Sequence, residues 1–116
     1  MTLRLTTFAL AILAQPLVAE ELTGPALLQQ ISGTHFDCQM GEIPLQWVVP
    51  EIAPDATLIP YTATVHGKTV EAEYTLTDSG RLTSDGYGEE RKVETTPEGG
   101  LKITRSDGRA MICTAR

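Results

Sequence analysis

A chain of 116 residues with 15 acidic and 9 basic side chains carries a formal charge of −6 at pH 7. That balance argues against nucleic acid or an anionic lipid surface as partner, since both bind through basic contacts, and it suits a cationic partner. With only 2 cysteines the chain is no dense disulfide scaffold, and its length allows one domain with a modest core.

Residues 1–19 read as a secretory signal. Arg4 supplies a short positive start, Phe8 to Ala14 an apolar core too short to span a bilayer, and Leu17-Val18-Ala19 the small residue at which signal peptidase cuts. Cleavage after Ala19 leaves residues 20–116 as a single domain. No second hydrophobic run follows, so no stable membrane insertion is expected after cleavage, and the compartment expected is periplasmic or secreted.

In the mature part, Thr23 is placed to N-cap a short helix with Pro25 in its first turn. The helix runs to Ile31 and stops at Ser32-Gly33, with Gly33 in a left-handed conformation. Two turns are too few to stand alone, so Leu27, Leu28 and Ile31 must dock on another surface.

From Thr34 the period changes to two. Phe36, Cys38 and Met40 share one face, and His35, Asp37 and Gln39 the other; Ile43, Leu45, Trp47 and Val49 then alternate inward. Pro44 places that second strand at an edge or at its own beginning. Thr57–Val65 and Thr69–Thr77 flank a tight His66-Gly67 turn, in a register pairing Val65 with Lys68 and Ala63 with Val70. On this hairpin Tyr61, Ala63 and Val65 face inward with Val70, Ala72, Tyr74 and Leu76. Turns follow at Asp78-Ser79-Gly80, Ser84 to Gly88, Pro97 to Gly100 and Ser106-Asp107-Gly108, with short strands between them. The fold expected is all-β: a small antiparallel meander barrel or sandwich with one short N-terminal helix.

In an exported chain, Cys38 and Cys113 should form one disulfide that closes a loop of about 75 residues and ties the first long strand to the last. Two free thiols, or two thiols on a metal, are the alternatives. They lack a C-x-x-C pair and a His beside either Cys.

Catalytic groups are sparse. His35 near Asp37 and Glu42 has the composition of an acid–base pair or a weak metal site, but a solvated strand face has the same pattern; His66 sits in a turn. No nucleophile elbow, phosphate loop, zinc spacing or calcium loop is present. No catalysis and no cofactor are expected. A loop binding by shape is the alternative, and Thr77 to Arg81 follows the best-specified strand with small polar groups and one cation: Asp78, Ser79, Gly80 and Arg81 are the candidate binding residues, against the reading of a plain turn.

Phe36-Asp37-Cys38 followed by Ile43-Pro44-Leu45, then Ser79-Gly80 with Asp85-Gly86, and finally Arg105 to Arg109 leading to Cys113, together resemble the small periplasmic inhibitors of C-type lysozyme over roughly residues 34–116. The resemblance implies an eight-stranded exported barrel, and a Ser-Gly loop that enters the target's cleft. This chain differs from the family pattern at Asp78 and Arg81, which flank Ser79-Gly80, and has Thr83 where the family carries Tyr. The function expected is an exported, non-catalytic protein-binding module, with inhibition of a basic lysozyme-like glycosidase as the activity the resemblance implies. The alternative is a structural or accessory subunit of an envelope complex, touching its partner through the Thr23–Ser32 helix and an exposed strand edge.

Overall fold

Alternating strands between tight turns satisfy their backbone groups by pairing with their sequence neighbours, and in a closed sheet no strand is left without a partner. The computed structural model describes residues 19–84 and 89–116. Its elements are β1 (Glu21–Leu22), α1 (Gly24–Ile31), β2 (His35–Met40), β3 (Ile43–Val48), β4 (Leu58–Val65), β5 (Lys68–Leu76), β6 (Leu82–Ser84), β7 (Glu90–Thr95), β8 (Leu101–Thr104) and β9 (Ala110–Ala115). Strands β2 to β9 pair antiparallel in sequence order, and β9 returns to β2 to close an eight-stranded barrel. The short β1 adds to β7.

The hairpin of β4 and β5 keeps the register expected, Val65 opposite Lys68 and Ala63 opposite Val70. His66 (φ 52°) and Gly67 (φ 77°) both lie in the left-handed region, as a type I′ turn requires. Pro44 is the second residue of β3: it faces Gln39 of β2, while the pairing of β3 with β4 begins only at Leu45. Its missing N–H therefore takes nothing from the pairing of β3 with β4.

The disulfide joins Cys38 and Cys113, which are directly opposed on β2 and β9 with Cα atoms 4.0 Å apart. Both are buried, so the bridge crosses the seam where the barrel closes, on its inner face. Such bonds persist in an oxidising compartment. Among the described residues no helix is long and apolar enough to cross a membrane.

Inward-facing side chains stack in layers. Phe36, Val49, Ile59, Leu82, Val93 and Leu101 are buried toward one end, and α1 covers that end with Leu27, Leu28 and Ile31, all at most 1% exposed. Gly33 takes the left-handed conformation (φ 65°), and its N–H donates to Pro50. Thr23 stands at the N-cap, but its side chain makes no capping hydrogen bond. The first helical amide is satisfied elsewhere, because Gly24 N–H donates to the Gly80 carbonyl at 3.0 Å.

Above this floor lies an aromatic layer. Trp47 stacks on Phe36 at 4.9 Å and meets Tyr74 edge-on at 6.4 Å, and Tyr74 stacks on Tyr61 at 4.4 Å. Beyond it the inward phase continues, but burial does not. Met40 (37% exposed), Ile43 (38%) and Val70 (56%) occupy inward positions and remain open to solvent, contrary to the core role their alternation suggests. They lie toward the end of the barrel opposite α1, where no element covers them among the described residues. Among the described residues the barrel is a cup with one end plugged and the other open.

Candidate functional site

Thr77 to Arg81 forms a tight turn at the plugged end. Thr77 N–H donates to the Arg81 carbonyl at 2.7 Å, and Gly80 N–H donates back to Thr77 at 2.8 Å, with Gly80 at φ 82°. The same pattern recurs at Thr96 to Gly100 and at Arg105 to Arg109, with Gly99 and Gly108 in the left-handed position. In all three a side-chain oxygen near the turn accepts the last amide: Thr77 Oγ1 from Arg81, Thr96 Oγ1 from Gly100, and Asp107 Oδ1 from Arg109. One turn chemistry thus serves three hairpins.

The first of these turns differs from its siblings in what holds it. Val93 and Glu94 of β7 pair with β8 on one side and with Leu22 and Glu21 of β1 on the other. The second edge is also the one β6 uses, at Glu90 and Arg91. So β6 begins only at Leu82, after the turn, and β1 occupies the stretch of β7 beyond that start. Arg81 stands at this junction. Its guanidinium grips the Glu21 carboxylate in a two-point contact, Nε to Oε2 at 2.6 Å and Nη2 to Oε1 at 3.1 Å, with Glu90 Oε1 at 3.6 Å on its other side. The hydrogen bonds from Arg81 hold the Glu21 carboxyl below its ordinary range. Ser79 Oγ donates to Glu90 Oε2 at 2.9 Å and shares a 2.8 Å hydrogen bond with Thr77.

The structure therefore brings Ser79, Gly80 and Arg81 together with Glu21, Gly24 and Glu90. Asp78 and Ser79 are exposed, while Gly80 is buried. A Cβ at Gly80 would lie 2.6 Å from the Gly24 nitrogen, so the close backbone approach that glycine permits is made to α1 of the same chain. The Asp85-Gly86 part of the resemblance, and most of the Ser84 to Gly88 turn, lie outside the described residues. Thr83 is buried and donates to the Thr75 carbonyl at 3.3 Å.

The His35 group is not assembled as an acid–base pair. Asp37 is engaged by Arg116, at 2.8 and 3.2 Å, and those hydrogen bonds hold its carboxyl below the usual range. No cluster of three or more His, Cys, Asp or Glu suited to a metal occurs among the described residues. A shallow concavity of about 570 Å³ covers the outer face of β2, β3 and β9, but the Asp37 carboxylate that lines it is already paired. On α1, Leu27, Leu28 and Ile31 face the barrel, while Pro25 and Ala26 are exposed.

Three arginines at the open end were not singled out from the sequence as binding groups. Arg91, Arg105 and Arg109 line a cavity of about 120 Å³ with Tyr74, Met40 and Met111. A signal for two of them exists: Arg91 stands two residues before the buried Val93, and Arg105 two after the buried Ile103, so both occupy the inward phase of their strands. No family model, no curated protein and no solved structure matches this chain.

Proposed function

We propose that the protein is an exported, non-catalytic binding module that engages a basic, lysozyme-like glycosidase through the Thr77–Arg81 turn. The observation that supports this reading is the turn's preorganisation. Its backbone is closed by two hydrogen bonds, its base is clamped by Arg81 on Glu21, and its tip leaves Asp78 and Ser79 exposed. A turn already held in one conformation loses little entropy on binding. The Ser79 hydroxyl already donates to a carboxylate, that of Glu90, so a catalytic carboxylate of the target presents it with the same kind of acceptor. An overall charge of −6 steers the module toward a basic enzyme.

Inhibition of a C-type lysozyme by the purified mature protein tests this. Activity should fall at low salt and recover as ionic strength rises, since exposed charges are screened beyond about 8 to 10 Å. Ser79→Arg should abolish the inhibition while moving the melting temperature little, because residue 79 is exposed. If micromolar protein leaves the enzyme untouched at low salt, the inhibitor reading is wrong and the accessory-subunit reading replaces it.

A further inference from the structure

We propose that the open end of the barrel binds a single-chain amphiphile with an acidic head, a carboxylate or a phosphate ester. This site lies at the opposite end from the Thr77–Arg81 turn and does not depend on its function.

Charge is the first argument. In a chain with more acidic than basic residues, three of the nine basic side chains converge on one cavity of about 120 Å³. Arg91 faces into the barrel with its guanidinium 5.4 Å above the Tyr74 ring. Arg105 has Glu89 at 3.7 Å and Arg109 has Asp107 at 2.9 Å, whereas Arg91 has no ion-pair partner among the described residues. Two of the positive charges thus have a close carboxylate partner, and among the described residues the third has none.

Hydrogen-bonding capacity is the second. Arg91 Nη1 and Arg105 Nε are buried without a partner among the described residues. Both are obligate donors, and an arginine cannot relieve the deficit by losing its proton. A buried donor without an acceptor is costly, and the group that satisfies several converging donors at once is an anionic oxygen cluster.

The apolar surroundings are the third. Met40 and Met111 line the cavity itself. Ile43, directly opposite Met40, and Val70, farther along the inward face of β5, extend an exposed apolar rim beside it. At about 30 Å³ for each water, the cavity has the volume of about four waters. That is room for an acidic head and its first methylenes, with the rest of the chain lying on the rim. A head without a tail leaves the rim exposed, and a tail without an acidic head leaves the arginine donors unpaired.

The test is a titration of the disulfide-bonded protein with dodecanoate and dodecyl phosphate below their micelle concentrations. It is read by calorimetry and by the fluorescence of Trp47, the chain's single tryptophan, which touches the cavity-lining Tyr74 edge-on. Dodecanol, dodecyltrimethylammonium and acetate are the comparisons. At least one acidic amphiphile should bind saturably at one site per chain, at least 10-fold more tightly than the neutral, cationic and tailless ligands. Arg105→Gln should weaken it about 10-fold or more, the expected loss for hydrogen bonds to a charged group. Arg109→Gln, at an exposed rim position, should weaken it several-fold with the melting temperature unchanged, which keeps the test valid should Arg105→Gln fail to fold. Absence of binding by both acidic amphiphiles overturns the proposal. So does equal affinity for dodecanol, or acetate binding as tightly as dodecanoate.

Discussion

Gly80 and Gly108 hold the same place in two turns of the same shape, at φ 82° and 89°, yet an added methyl would meet different surroundings. At Gly108 nothing lies within 4 Å, whereas at Gly80 the backbone of Gly24 does. Gly108→Ala should therefore cost only the left-handed strain, about 1 kcal/mol, and Gly80→Ala about 3 kcal/mol, because the clash with α1 adds to the strain. Urea unfolding of the two variants checks the difference. That Ser79-Gly80 forms a turn was legible in the sequence, because the turn chemistry is local. That Gly80 is buried was not, because its neighbour Gly24 lies far upstream and no periodicity links the two. The inward arginines were missed for another reason: an alternation read only for its apolar members passes over a charge standing in the same phase.

At the scale of elements, the N-terminal segment acts as plug and clasp together. Leu27→Ala should cost about 2 to 5 kcal/mol, the range for deleting a buried leucine side chain, seen as a lowered midpoint of chemical unfolding. The clasp is sensitive to acid. Arg81 lowers the pKa of Glu21 in the folded state, so the pair stabilises the fold above the ordinary Glu range near 4.3. That contribution fades as pH falls through the lowered value. Glu21→Gln should be less stable than the parent at neutral pH, and the gap should close on acidification below about pH 4. Thermal melts across that range measure it. The helix, the strand phases and the β4–β5 register were all readable, because capping residues, alternation and an I′ turn are local signals. The strand β1 was not, since two residues carry no alternation, and it pairs with the part of β7 that β6, beginning only at Leu82, leaves free.

For the whole molecule, closure depends on β2 meeting β9, and the disulfide between residues 75 apart in sequence lies on that seam. Tying so long a loop reduces the freedom of the unfolded chain by about 4 to 4.5 kcal/mol in the chain-entropy view. Cys38→Ser or Cys113→Ser should thus lower the melting temperature by more than about 10 °C, at roughly 4 to 8 °C per kcal/mol for a domain of this size. Alkylation of the native protein should find no free thiol. The junction on β7 bears on how copies of the chain behave toward one another. A closed barrel offers no strand edge to a neighbour, but here β6 begins only at Leu82, and only Glu21 and Leu22 cover the backbone of Glu94 and Val93 that it leaves. A molecule from which β1 has come away presents a ready template for strand addition, so Glu21 and Leu22 guard the barrel against edge-to-edge association.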